Sequence, residues 1–151
     1  MSRKVITVTR GETLADLIAK FRKHNYHTLP VIDNEKKVIG IVGSEDIMKV
    51  CLPHNPVLEK LLRSTHLYNT EEEDILKIDL PEDLGTTVKV SDIMNTHVVT
   101  IEDSETIANV RKQMKLHNVQ RVPVTKDDVL VGFITLFDII IAFFRERNII
   151  K

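Results

Sequence analysis

One stretch of this chain has residue types and spacing suited to polar-ligand chemistry. In Gly132-Phe133-Ile134-Thr135-Leu136-Phe137-Asp138 an apolar run ends at a threonine, and an aspartate three residues later heads a second apolar run, Ile139-Ile140-Ile141. This predicts a buried strand turning sharply into a helix, with Thr135 at the N-cap and Asp138 at N3. Two readings are open from these residues. The pair can be a capping box, holding the helix start together. It can also form a ligand site, because a helix N-terminus presents N–H groups and a positive dipole end, while a carboxylate accepts hydrogen bonds from a diol.

Other chemistry-bearing residues are weaker candidates. His24 and His27 stand three apart, but a chain with one cysteine and no third obvious ligand does not make a zinc site, and no structural metal is expected. Glu71-Glu72-Glu73-Asp74 reads as a solvated acidic face. Cys51 has no evident base partner, and the chain holds no nucleophile turn, Walker-type loop or HExxH motif, so an enzyme is not expected. The net charge of −1 and 5% aromatic content argue against nucleic acid as a partner, since phosphate neutralisation and base stacking both lack residues. No segment has the length and apolarity for membrane insertion, and the lone cysteine with no leader pattern points to a cytoplasmic location.

The elements that must position these residues follow from periodicity. Val5–Thr9 alternates as a strand, and Thr13 with Asp16 at N3 opens a helix whose Leu14, Leu17, Ile18 and Phe21 form one apolar stripe. Leu29-Pro30-Val31-Ile32 is a strand whose proline suits an edge or the first positions. Asp33–Lys36 is turn chemistry, Val38–Val42 closes a hairpin, and Gly43-Ser44-Glu45-Asp46 starts another helix. Residues 52–89 form a connector with one or two short helices, in which Pro56 suits a helix N1 position.

From residue 90 the pattern starts again. Val99-Thr100-Ile101 answers Ile6-Thr7-Val8, Thr106 answers Thr13, His117-Asn118 answers His24-Asn25, and Val122-Pro123-Val124 answers Leu29-Pro30-Val31, all at an offset of 93. Gly132 and Asp138 answer Gly40 and Asp46 at an offset of 92, so one residue is gained or lost in the hairpin turn. The chain therefore divides into a first repeat at 1–51, the connector at 52–89 and a second repeat at 90–151. Each repeat is a β-α-β-β-α unit, too small to bury much surface alone. Two such units related by a pseudo-two-fold axis, packed sheet to sheet in an α/β (α+β) module, create two related clefts, each lined by a strand-to-helix turn.

These motifs together resemble the CBS domain, and the tandem resembles a CBS pair, or Bateman module. The resemblance covers 5–51 and 90–147, with Ser91-Asp92-Ile93-Met94 similar to the family's short lead-in helix. It implies a regulatory, ligand-sensing module that binds an adenosine-containing ligand, a nucleotide (AMP, ADP, ATP) or S-adenosylmethionine, between the repeats. It implies that Thr135 and Asp138 contact ribose and phosphate, that Arg121 presents its fork to phosphate oxygens, and that Val98, Val99 and Thr100 line the adenine pocket. In the first repeat the resemblance leaves Asp46 to hold a ribose and His27 to reach a phosphate, but Gly43 replaces the threonine and Thr28 the arginine. The Asp46 cleft is accordingly expected to be the lesser one. The surplus apolar residues Ile140, Ile141, Phe143 and Phe144 point to a homodimer formed through helices, in keeping with the family, and an unidentified effector protein is implied. The alternative is a ligand-independent dimerisation or docking module.

Overall fold

The computed structural model describes residues 4–51 and 81–151. The helix expected at Pro56 and the acidic run Glu71–Asp74 lie outside the described residues. The first repeat runs β1 (Val8–Thr9), α1 (Leu14–His24), β2 (Thr28–Ile32), β3 (Val38–Gly43) and α2 (Ser44–Cys51). Two short helices follow, α3 (Leu84–Thr87) and α4 (Val90–Ile93). The second repeat then runs β4 (Ile101–Glu102), α5 (Ile107–Leu116), β5 (Arg121–Lys126), β6 (Val129–Thr135) and α6 (Leu136–Glu146).

Each repeat builds a three-stranded sheet, β1-β2-β3 and β4-β5-β6, in which the first pair is parallel and the second antiparallel. The parallel pair requires a crossover, and the amphipathic helix supplies it. Helix α1 starts where the sequence predicts: the Thr13 side chain accepts from the Asp16 amide, and the Asp16 carboxylate accepts from the Thr13 amide. Both crossover helices are followed by an asparagine in the left-handed region, Asn25 at φ 53° and Asn118 at φ 52°. Asparagine tolerates that conformation better than most residues, which explains why it recurs at both helix ends. The single-residue difference between the repeats sits in the hairpins. Asp127 and Asp128 both have positive φ, as a two-residue type I′ connection requires, whereas the first hairpin has one such residue, Lys36.

Two expectations need correction. The strands predicted at Val5–Thr9 and Val99–Ile101 are shorter and shifted, to Val8–Thr9 and Ile101–Glu102. The residues before them run without strand pairing, which makes them available to line clefts. Pro30 also lies on the central strand of its sheet, not on an edge. The short β1 resolves this, because it pairs with β2 only at Val31 and Ile32. Up to Pro30 the strand has β3 alone as its neighbour, so the missing N–H interrupts no ladder on the β1 side.

Each repeat has its own apolar core. Leu14, Leu17, Leu29, Val31 and Val42 are buried in the first, and Ile101, Val110, Met114, Val122 and Ile139 in the second. The first core has two additional members from across the connector, Val90 and Ile93 of α4. Backbone bonds fix this segment: Leu14 N donates to Val88 O and Val90 N to Glu12 O, both at 2.9 Å. Asn95 then exchanges two bonds with Ile41 of β3, at 2.8 and 2.9 Å. Gly40 permits that approach, since a Cβ there would stand 3.0 Å from the Asn95 carbonyl oxygen and 3.1 Å from Met94 Sδ. By motif the second repeat begins at residue 90; by packing, 84–95 belongs to the first. The two hairpins also meet, with Leu130 N donating to Lys36 O at 3.0 Å and Lys37 bridged to Val129.

Candidate functional site

The strand-to-helix turn of the second repeat is tied by reciprocal hydrogen bonds. The Thr135 amide and hydroxyl both donate to Asp138 Oδ2 at 2.8 Å, and the Asp138 amide donates back to Thr135 Oγ1 at 3.2 Å. Leu136 N donates to Gln120 O at 2.8 Å. The amides of Thr135, Leu136 and Asp138 are thus occupied, so fewer N–H groups face an anion here than a bare helix N-terminus offers. Burial alone raises the Asp138 pKa; the hydrogen bonds from Thr135 act against burial and are among the interactions that leave it below its ordinary value of 3.8. The group is therefore an ionised acceptor at neutral pH.

The register β5–β6 pairs Arg121 with Thr135, placing the guanidinium stem next to the cap. Arg121 is exposed, and its side chain makes no hydrogen bond or ion pair with the described residues. Thr135, Asp138 and Arg121 line a cavity of about 230 Å³, whose polar side also includes Lys4, Asn25 and Thr28. Its apolar side comes from the other repeat: Val5, Ile6, Tyr26, Leu29 and Pro30, with Phe133 from β6. Tyr26 is held by stacking on His24, with ring centroids 6.1 Å apart. The cavity is smaller than the roughly 300–1,000 Å³ of pockets that enclose a drug-sized ligand.

A second cleft of about 550 Å³ is lined by the equivalent turn of the first repeat. It contains Asp46, Gly43 and His27, together with Glu45, Lys49 and Arg121. Here Gly43 supplies an amide to Asp46 Oδ2 at 2.8 Å but no hydroxyl, so half the capping box is missing. The other carboxylate oxygen faces Lys49 Nζ at 3.5 Å. An adjoining hollow contains Val98, Val99, His97 and His117, and shares Ile41, Asn95, Val119 and Arg121 with this cleft.

The residues expected to line the Thr135 cleft are thus divided. Thr135, Asp138 and Arg121 meet, and His27 meets Asp46. Val98 and Val99 lie on the Asp46 side, away from Thr135, and Thr100 is exposed and lines neither cleft. The pseudo-two-fold relation is the reason: each cleft combines the helix start of one repeat with the strand lead-in of the other. Val5 and Ile6, which stand 93 residues before Val98 and Val99, take the place beside Asp138. Tyr26 and Phe133 were missed as lining residues. The internal repeat held the signal for Val5 and Ile6, had it been crossed over. Among the described residues, no group of three or more His, Cys, Asp or Glu side chains is placed to hold a metal ion, and no helix is long and apolar enough to cross a membrane.

Comparison with known proteins agrees with this architecture. The CBS domain profile matches residues 1–53 and 90–145. Protein MJ1426 of Methanocaldococcus jannaschii is 34% identical over 145 residues, spanning 93% of this chain and 86% of that protein. The crystal structure of the CBS domain pair of protein MJ0100, in complex with 5′-methylthioadenosine and S-adenosyl-L-methionine, superposes with a TM-score of 0.64 at 24% identity, covering 94% of this chain and 93% of that one. The structure of CBSX2 in complex with AMP gives 0.68 at 20% identity, covering 97% and 94%.

Proposed function

The chain belongs to the CBS-domain family as a tandem pair, and we propose that it is a regulatory module sensing an adenosine-containing ligand. The observation that carries this reading is the cavity uniting Thr135, Asp138 and Arg121 of the second repeat with Val5, Ile6 and Tyr26 of the first. Adenine lies against the apolar side, the Asp138 carboxylate accepts the ribose hydroxyls, and phosphate reaches Arg121, whose planar fork matches phosphate oxygens. Support comes from the adenosine compounds bound by the MJ0100 pair and by CBSX2. A ligand contacting both repeats favours one arrangement of them over others, and that difference in affinity is what an effector protein reads.

The test is a thermal-shift panel of AMP, ADP, ATP and S-adenosylmethionine on the purified chain. Ligand at 100 times its Kd adds about 2.7 kcal/mol, or roughly 5–10 °C for a domain of this size. No shift with any of them, or a shift that Asp138→Ala leaves undiminished, removes the assignment.

A second reading rests on a different observation. Helix α6 leaves Phe137, Ile140, Phe143 and Phe144 exposed, and the last three line an apolar hollow with Leu136, Ile139 and Arg111. Contiguous exposed apolar surface marks association sites. In this reading the chain is a homodimer through that face, with or without ligand. Sedimentation of wild type and Phe143→Ser separates the two: a monomer that still binds nucleotide leaves the sensing role independent of assembly.

A further inference from the structure

Arg121 borders both clefts: the cavity of Thr135 and Asp138, and the cleft of Asp46. Position 28, its counterpart in the first repeat, also lines both, but holds a threonine. The β2–β3 and β5–β6 registers explain the symmetry, since Thr28 pairs with Gly43 as Arg121 pairs with Thr135. A symmetric module would have two guanidinium groups at this junction. This chain has one for two sites.

We propose that the two clefts compete for Arg121, so that a phosphate held in one weakens phosphate binding in the other. The inference rests on the reading of the clefts as adenosine-ligand sites. The charges decide the sense of the effect. The Asp46 cleft is lined by Lys49 and Arg121 against Glu45 and Asp46, and Lys49 already faces Asp46. Once Arg121 turns to a phosphate in the other cleft, one cation is left against two carboxylates, a lining that repels a second phosphate. The Asp138 cavity keeps a second lining cation, Lys4, when Arg121 leaves, against one lining carboxylate. A planar fork makes its bidentate bonds with one phosphate at a time, so the guanidinium serves the sites in turn. The coupling is reciprocal: whatever factor the first phosphate imposes on the second, the second imposes on the first. A ligand without phosphate has no stake in Arg121 and escapes the competition.

Titration calorimetry of the purified chain with AMP and with adenosine tests this, on wild type, Asp138→Asn and Thr28→Arg. In wild type the second AMP binds at least about tenfold more weakly than the first. Asp138→Asn disables the stronger cavity and releases Arg121, so its remaining AMP event becomes about tenfold tighter than the second event of wild type. Thr28→Arg supplies the missing guanidinium and brings the two AMP events within about threefold of each other. With adenosine, Asp138→Asn leaves the remaining event unchanged. Circular dichroism verifies that each variant is folded, and Thr28→Arg keeps the test decisive if Asp138→Asn is not. An unchanged second AMP event in either folded variant overturns the competition while leaving the binding sites in place. Absence of any heat with AMP and adenosine in wild type overturns the sensing role itself, and the competition with it.

Discussion

The strand-to-helix turns at Gly40–Asp46 and Gly132–Asp138 keep their first glycine and their aspartate and differ at the cap, where Gly43 stands for Thr135. In both, the aspartate accepts the amide of the residue three before it, at 2.8 Å. Only Thr135 adds a side chain that bonds the carboxylate and receives the Asp138 amide. At the other turn the second oxygen of the Asp46 carboxylate faces Lys49 Nζ at 3.5 Å. Retaining an aspartate is therefore not equivalent to retaining a site. The threonine both caps the helix and orients the acceptor.

Substitutions can break or sharpen this contrast. Asp138→Ala has the largest effect. Losing a charge-assisted acceptor costs about 1.5–3 kcal/mol, or roughly 10- to 150-fold in AMP affinity by calorimetry. Asp46→Ala leaves the first AMP event within a few-fold of wild type, and equal losses for the two aspartates would erase the distinction between the clefts. Val90→Ala comes next, costing about 2 kcal/mol in urea unfolding through the first repeat's core, although its motif assigns it to the second. Gly43→Thr should strengthen AMP binding in the Asp46 cleft a few-fold. Its stability gain is only a few tenths of a kcal/mol, because glycine is already a tolerable N-cap and the new Cβ stands 3.3 Å from His27 O.

The smallest predicted effect is that of pH. The folded Asp138 carboxyl lies below its ordinary value of 3.8, so the stabilisation it supplies is fully present above that value. It is lost only as pH falls through the lower folded value. Calorimetry with adenosine, whose own charge does not change there, should give a flat affinity between about pH 5 and 8. A loss of affinity on acidification within that range would show that some other group governs the site.

What was legible in the sequence is what is local. The capping boxes of Thr13 and Thr135 span three residues, so each could be read without knowledge of the rest. The repeat made the strand and helix order readable as well. The membership of each cleft was not, because it depends on how segments some 93 residues apart are exchanged about the pseudo-axis. Val98 and Val99 were therefore set beside the wrong helix, and Val5 and Ile6 were read as strand and not as lining. Pro30 misled for a related reason: its tolerance on a central strand depends on the two-residue length of β1, which the alternating pattern of Val5–Thr9 overstates.

The docking of α4 onto the first repeat has a consequence for how the chain is made. Synthesis proceeds from the N-terminus, so residues 8–51 leave the ribosome before Val90 and Ile93 exist. The first repeat must wait, its core open along the side those two residues close, until the whole connector has been translated. Its last backbone latch, Asn95 on Ile41, forms later still. The N-terminal half therefore reaches its final packing only when the second half has begun to emerge, and a nascent chain halted before residue 90 would present an unfinished apolar surface to chaperones and proteases.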